Sequence, residues 1–312
     1  MTNCKEFYFP SSDGSSHIHA AEWYPEGREP IGVLQIAHGV AEYGMRYAPL
    51  AEFMNEHGFI VVANDHLGHG LSAAPGAETL YFGAHDGWRH VVDDIYALRC
   101  RTKAQYPGLP YVLMGHSMGS FLARTYLIRY PGTVDAAIIM GTGQQSPLLV
   151  SGGRAVARAA GKRHGFQAHS PRVEALAFGA YNKAFAPNRT DYDWLSADEE
   201  NVDEYIADPL CGQDATVGLF YEMLTGIRFN QRRNNLDRMD KSMPILLISG
   251  EDDPVGGMGA GVRQTYAEFK RAGITDCTLK LHPGLRHELL NEKARRDEVY
   301  QDIWSWMEEK LK

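Results

Sequence analysis

The sequence lacks several features that would place this protein in a specialised class. Its 312 residues carry 31 lysines and arginines against 39 acidic residues, and the net charge of −8 excludes the overall basic surface that nucleic-acid binding needs. No apolar run approaches the roughly 18 residues of a membrane span, and the first residues hold no apolar signal core. We therefore expect a cytoplasmic protein with no nucleic-acid partner.

Cysteine is also scarce and scattered. The four cysteines form no C-x-x-C pair and no metal-ligand spacing, which favours a reducing compartment. There is no internal repeat and no low-complexity tract. What the chain does have is length and 44% hydrophobic residues, enough for one large α/β domain or a domain with a substantial insertion.

One stretch organises the chain. The apolar run from Tyr111 to Met114 predicts a buried strand, Gly115-His116-Ser117-Met118-Gly119 follows, and a helical apolar pattern begins directly after it. A serine on a sharp strand-to-helix turn is exposed at the end of the strand, where it can attack a carbonyl carbon. The N–H of Met118 can then bind the oxyanion that forms.

Strands and helices alternate around this stretch. A hairpin is predicted over residues 5–24, and apolar strands over 31–37, 59–63 and 136–140, with helical patterns between them. This alternation predicts a mostly parallel sheet flanked by helices, with ligands at the carboxyl ends of its strands.

The alternation stops for about a hundred residues. We predict a first core segment over 1–140, an inserted and mainly helical cap over 141–240, and a second core segment over 241–312. One helix of the cap carries Phe220 and Leu224 on its apolar face. This face is either the interior of the cap or the wall of an apolar substrate pocket. A basic stretch early in the cap leaves transient membrane contact open.

A serine nucleophile needs a base, and the base needs an orienting acid. In a sheet of this type the acid follows a late strand and the base follows the last strand. Asp253 fits the first position because Pro254 fixes a turn after it, with Asp252 as the reserve, and His287 fits the second. For the second oxyanion donor we choose the N–H of Val40, in the loop after 31–37.

Two weaker patterns do not change this interpretation. Gly257, Gly259 and Gly261 lack the spacing and the lysine of a phosphate loop. His66 and His69 have poor spacing for a metal and no evident third ligand. We predict no metal and no cofactor.

The motifs together resemble the α/β-hydrolase superfamily, and more narrowly its monoacylglycerol lipase and lysophospholipase branch, which is also grouped with serine aminopeptidase-like hydrolases. The residues that carry the resemblance are His38-Gly39-x-x-Glu42-x-x-x-Arg46-Tyr47, Asp65-x-x-Gly68-His69-Gly70-x-Ser72, Gly115-His116-Ser117-Met118-Gly119, Asp253-Pro254 and Gly284-x-x-His287. The resemblance implies an α/β-hydrolase fold, a triad of Ser117, Asp253 and His287, and an oxyanion hole made by the Val40 and Met118 amides.

The resemblance also places Glu42 and Arg46 near the polar head of a substrate, and an ion pair that braces their loop is an equal alternative. The expected activity is hydrolysis of small-molecule or lipid esters with apolar acyl chains, without a cofactor. Two alternatives stay open: an aminopeptidase-like amide hydrolase that uses the same triad, and a slow ligand-sensing module.

Overall fold

The computed structural model describes residues 3–312, which form one eight-stranded sheet. Its strands are β1 (Asn3–Pro10), β2 (His17–Tyr24), β3 (Gly32–Ala37), β4 (Phe59–Asn64), β5 (Tyr111–His116), β6 (Ala136–Met140), β7 (Ile245–Gly250) and β8 (Cys277–His282). The α-helices are α1 (Ala48–Glu56), α2 (Gly87–Gln105), α3 (Met118–Arg129), α4 (Pro147–His164), α5 (Pro171–Ala177), α6 (Glu199–Ala207), α7 (Val217–Asn230), α8 (Arg233–Leu236), α9 (Ala260–Arg271) and α10 (Arg296–Lys310).

The sheet is mostly parallel. Its spatial order is β1-β2-β4-β3-β5-β6-β7-β8; β1 pairs antiparallel with β2, β2 pairs antiparallel with β4, and the remaining neighbours are parallel. The α/β class and the mostly parallel sheet predicted from the sequence are confirmed. Every residue of β3 through β7 is buried, because helices cover both faces of a parallel sheet.

Alternate residues of the central strands enter two separate hydrophobic cores. Leu113 of β5 packs with α2, α3 and α7 on one face, whereas Val112 and Met114 pack with α1 and α10 on the other. Because successive side chains of a strand point to opposite faces, each central strand stabilises both layers.

A helical segment interrupts the sheet between β6 and β7. It contains α4 to α8, and α7 packs against α4 as well as against α2 and α3 of the core. A single β-bridge joins His169 to Thr216 inside it. Within residues 3–312, no helix is both long enough and apolar enough to cross a membrane.

The topology brings the predicted functional segments to one edge of the sheet. β3, β5 and β7 are parallel, so their carboxyl ends lie together. Val40 follows β3, Ser117 follows β5, and Asp253 follows β7. The neighbouring β8 ends at His282, and His287 comes five residues later on the same side.

Substitution of Gly226 tests how closely α7 packs on the core. A Cβ at this position would lie 2.0 Å from Cε2 of the buried Trp88 ring, so Gly226→Ala forces the two helices apart. We expect a loss of about 1–3 kcal/mol in the free energy of unfolding, measured by urea denaturation.

Gly152→Ala is the matched control on α4, because within residues 3–312 a Cβ built there would meet no atom within 4 Å beyond its chain neighbours and its own helix backbone. It should keep the stability or raise it by up to about 1 kcal/mol, since alanine favours a helix over glycine. Equal stability of the wild type and Gly226→Ala would contradict the packing described here.

Candidate active site

The serine of the strand-to-helix turn has a strained backbone. Ser117 lies between β5 and α3 with φ 54° and ψ −122°, a conformation that an L-residue adopts only when its surroundings impose it. A Cβ on Gly115 would lie 2.2 Å from the carbonyl oxygen of Gly119, and one on Gly119 would lie 2.0 Å from that of Ala37. Both glycines are therefore required by the close approach of neighbouring backbone.

Asp253 and His287 meet as a buried pair. His287 Nδ1 lies 3.0 Å from Asp253 Oδ2, which also accepts a hydrogen bond from Ser249 Oγ at 3.1 Å. The other oxygen, Oδ1, accepts from the Val255 amide at 2.8 Å. Burial alone would raise the pKa of Asp253, but the charge of His287 and its hydrogen bond hold that pKa below the usual range. Asp253 is therefore an ionised acceptor that fixes the proton of His287 on Nδ1.

The remaining ring nitrogen of His287 is unpaired in the part of the chain that the structure describes. Nε2 is buried and makes no hydrogen bond within residues 3–312, and His287 lines the same cavity as Ser117. No hydrogen bond joins the two side chains in the described chain; such contacts commonly tighten only when substrate binds. Asp252, the reserve acid, is exposed and its amide donates to Leu285 O at 3.0 Å.

The two amides chosen as oxyanion donors lie beside this serine. Met118 is the first residue of α3, so its N–H has no partner inside the helix. The loop of Val40 approaches from β3, since a Cβ on Gly39 would lie 3.1 Å from Cβ of Ser117. Val40 and Met118 both line a cavity that contains Ser117.

Glu42 and Arg46 form a buried ion pair that also includes Glu288. Arg46 Nη1 donates to Glu42 Oε2 and Glu288 Oε1, both at 2.8 Å, and Nη2 donates to Glu288 Oε2 at 2.9 Å. Glu42 Oε1 accepts from the Gly39 amide at 2.5 Å and from Tyr47 Oη at 2.9 Å. Both oxygens of Glu42 thus have protein donors, which favours the bracing role over direct substrate contact.

His116, inside the serine motif, belongs to the same hydrogen-bonded network. Its Nδ1 lies 3.3 Å from Glu42 Oε1, and its Nε2 lies 3.1 Å from the carbonyl oxygen of His287. Tyr47 Oη, which donates to Glu42 Oε1, lies closer to this Nδ1, at 3.0 Å. Burial lowers the pKa of His116, but the hydrogen bond and charge of Glu42 outweigh it and the pKa is raised.

Sequence reasoning did not assign a role to His116 or Glu288. Both are adjacent in the chain to predicted catalytic residues, Ser117 and His287, and that adjacency was the available signal. Their partners come from distant parts of the chain, so the pairing itself became visible only in the folded structure.

Two cavities of opposite character meet at Ser117. One, of about 390 Å³, is apolar, and Phe220 and Leu224 belong to its wall. The other, of about 480 Å³, has a mixed lining that includes the polar side chains of His287 and Glu42, and we call it the polar cavity. Ser117 lines both, so a bound molecule with an apolar end and a polar end would have its middle at the serine.

Comparison with known proteins assigns the family. A model of the family described as "Serine aminopeptidase, S33" matches residues 28–294. This chain belongs to that family.

Relatives of this S33 chain are named lipases and esterases. It is 31% identical over 295 residues to a monoacylglycerol lipase of Mycolicibacterium smegmatis, across 91% of this chain and 90% of the relative. It is 26% identical to the human monoglyceride lipase, across 96% and 89% of the two chains. A solved carboxyl esterase of Bacillus coagulans, in complex with glycerol, superposes with a TM-score of 0.92 at 29% identity over 99% of both chains. The predicted α/β-hydrolase fold and its monoacylglycerol lipase-like branch are confirmed.

Three buried histidines, His38, His66 and His69, pack together next to the Val40 loop of this S33 hydrolase. The ring of His38 lies 4.0 Å from that of His66 and 5.3 Å from that of His69, measured between centroids. Burial, and then the charge of His69, lowers the pKa of His38 to about 3. Burial lowers the pKa of His69 to about 4 and that of His66 well below its ordinary value. All three are neutral at physiological pH.

One cluster outside the cavities has metal-ligand geometry. Ligand atoms of His282, Glu298 and Asp302 lie within 4.8 Å of one another. However, Lys280 is paired with Asp302, and Arg295 with Glu298 at 2.9 Å. These two cations already neutralise the carboxylates, so we assign no metal to this cluster.

The three histidines predict a loss of stability in acid. Their folded-state pKa values lie below the unfolded value of about 6.5, so the unfolded chain binds more protons as pH falls below 6.5. Each histidine should remove about 2 kcal/mol between pH 7.5 and pH 5. In His69→Phe, the free energy of unfolding should therefore fall less over this range than in the wild type, by that amount.

Urea denaturation at the two pH values measures this difference. His17→Phe, a substitution at an exposed histidine, is the control and should show the pH dependence of the wild type. The interpretation is wrong if His69→Phe loses as much stability in acid as the wild type does.

Proposed function

We propose that this protein is a serine hydrolase that cleaves carboxylic esters of apolar acyl chains, as monoacylglycerol lipases, lysophospholipases and carboxylesterases do. One observation carries the proposal: Ser117 lies where an apolar and a polar cavity meet, and it shares the polar one with His287, the partner of Asp253. The names of the relatives support the same chemistry. Esters of glycerol with one fatty acid have the matching division into an apolar and a polar half.

The residues suggest the order of events. Ser117 Oγ attacks the ester carbonyl while its proton passes to Nε2 of His287, and Asp253 stabilises the imidazolium that forms. The oxyanion accepts hydrogen bonds from the amides of Val40 and Met118. The C–O bond of the ester then breaks, His287 returns the proton to the leaving alcohol, and water repeats the sequence on the acyl-enzyme to release the acid.

The apolar cavity supports the ester over the amide alternative. No charged side chain is among the described residues that line it, and Phe220, Leu224 and Met223 contribute apolar wall. An aminopeptidase needs a group that pairs with the substrate's α-amine close to the scissile carbonyl. A protonated amine on the acyl side would lie unpaired among apolar atoms, which is strongly unfavourable.

The surface around the apolar cavity supports transient contact with a lipid surface, and we include it in the proposal. Leu148 and Leu149 of α4 and Leu176 of α5 line the cavity and are at least two-thirds exposed, at 84%, 72% and 69%. Exposed leucines next to a cavity mouth mark an interaction surface. The proposal also treats 141–240 as a cap that carries these helices, and places the protein in the cytoplasm because its four cysteines are free thiols.

Removal of the nucleophile tests the reaction. Ser117→Ala should lower kcat for p-nitrophenyl and monoacylglycerol esters by at least about 10⁴-fold, because no other group can form the acyl-enzyme. Its thermal unfolding should match that of the wild type. Ser305→Ala on α10 is the control and should keep full activity.

An aminoacyl anilide in the same panel separates the alternatives. Serine-dependent cleavage of the anilide without ester cleavage would move the protein to the peptidase alternative. Stoichiometric acylation of Ser117 without turnover would favour the sensing module.

A bulky residue in the apolar cavity tests where the acyl chain binds. Leu224→Trp fills part of this cavity, so kcat/KM for a dodecanoyl ester should fall relative to a butyryl ester by roughly tenfold or more. Ile206→Trp, at a half-exposed position on α6 outside the lining, is the control. An unchanged ratio in Leu224→Trp would place the acyl chain elsewhere.

A further inference from the structure

The lining of the polar cavity has an excess of negative charge. Five carboxylates belong to its lining, and among the described lining residues there is no lysine or arginine. Arg46, from behind the wall, is paired with two of them, Glu42 and Glu288. The other three, Glu174, Asp191 and Asp214, make no ion pair and no side-chain hydrogen bond within residues 3–312. We call these three the rim carboxylates.

The charges of the three rim carboxylates all influence one lining residue, Tyr192. Burial raises the pKa of Tyr192, a lining residue, and the charges of all three rim carboxylates raise it further. Burial and then the charge of Asp214 raise the pKa of Glu174, with partial opposition from His169, which is paired with Glu78. The negative field is therefore concentrated at this wall of the cavity.

Aromatic rings share the lining with these charges. Phe178, Tyr192 and Trp194 belong to the same cavity, and the Trp194 ring lies 5.2 Å from the ring of His287. Aromatic faces attract cations, and rings combined with carboxylates are the usual surroundings of a bound quaternary ammonium group. The composition thus matches a cation rather than only a neutral alcohol.

A second observation relates this cavity to the leaving alcohol of the proposed reaction. His287 is 2% exposed, its Nε2 has no hydrogen-bond partner within residues 3–312, and it lines this cavity and not the apolar one. In the proposed reaction this nitrogen protonates the leaving alcohol, so the alcohol half of the ester must lie on the side of the rim carboxylates.

We propose that the polar cavity selects esters by the charge of their alcohol: fatty acyl esters of cationic amino alcohols are favoured over neutral esters, and anionic ones are rejected. This inference rests on the proposed ester hydrolysis and adds a substrate class to it. The bond that breaks is unchanged, since water adds across the ester to give the fatty acid and the amino alcohol.

Three esters with the same acyl chain test the proposal. Decanoylcholine carries the cation, 3,3-dimethylbutyl decanoate is its neutral isostere, and 2-sulfoethyl decanoate carries an anion. For the wild type we expect kcat/KM for decanoylcholine to exceed that of the isostere by about tenfold, with the sulfonate below both. The preference should weaken as ionic strength rises, because salt screens exposed charges.

Variants identify the groups responsible. In a triple variant with Glu174→Gln, Asp191→Asn and Asp214→Asn, the ratio of decanoylcholine to isostere should approach one. A control triple variant, Asp297→Asn, Glu308→Gln and Glu309→Gln, removes the same charge from α10, away from the cavity lining. It should keep the wild-type ratio, which separates the local field from the net charge of −8.

Each outcome has a defined meaning. Equal kcat/KM for decanoylcholine and its isostere, with Ser117-dependent cleavage of both, overturns the charge preference and leaves the ester hydrolase intact. A preference that survives in the cavity triple variant, or disappears equally in the control, overturns the role of the rim carboxylates. Absence of Ser117-dependent cleavage of all three esters overturns the proposed function and this inference together.

Discussion

A single buried arginine ties together the loops between which the candidate chemistry takes place. Arg46 follows the loop after β3 and holds Glu42 of that loop and Glu288, the residue after His287. Glu42 in turn fixes the Gly39 amide, next to Val40, and faces His116, next to Ser117. The loops that carry the proposed oxyanion donor, nucleophile and base are thus fixed to each other through one charged network.

The network holds ionised groups away from water. Two carboxylates, Glu42 and Glu288, share the guanidinium of Arg46, and Glu42 also faces His116. Burying ions is costly, and a buried pair often adds little to stability compared with apolar residues of the same size. Its loss is nevertheless severe, because each remaining ion would be buried without a partner. Such a network is therefore better understood as a device that sets the relative positions of loops than as a source of folding free energy.

The limits of prediction follow from the range of these contacts. The strands and the positions of Ser117, Asp253 and His287 could be predicted because each depends on a local pattern: an apolar run, a turn residue and the end of a strand. The choice between Asp253 and Asp252 depended on one proline. Glu288, a partner of Arg46, lies 242 residues away in the sequence, and no local pattern indicates that the two residues pair. The shape of the cavities cannot be predicted from a local pattern either. Apolar periodicity indicates that Phe220 and Leu224 are buried, but not that they line a cavity.

If the proposed substrates bind as described, the two cavities contribute unequally to their recognition. A ten-carbon acyl chain gains roughly 6 kcal/mol when its methylene groups leave water, at about 0.8 kcal/mol each. The reverse orientation would place hydroxyl or ammonium groups against apolar atoms, so the apolar cavity alone determines which half of the ester enters it. Charges at the rim of the polar cavity act through solvent and contribute only about 1–2 kcal/mol. The acyl chain therefore supplies affinity and orientation, and the polar cavity can discriminate among alcohols only after that orientation has been set.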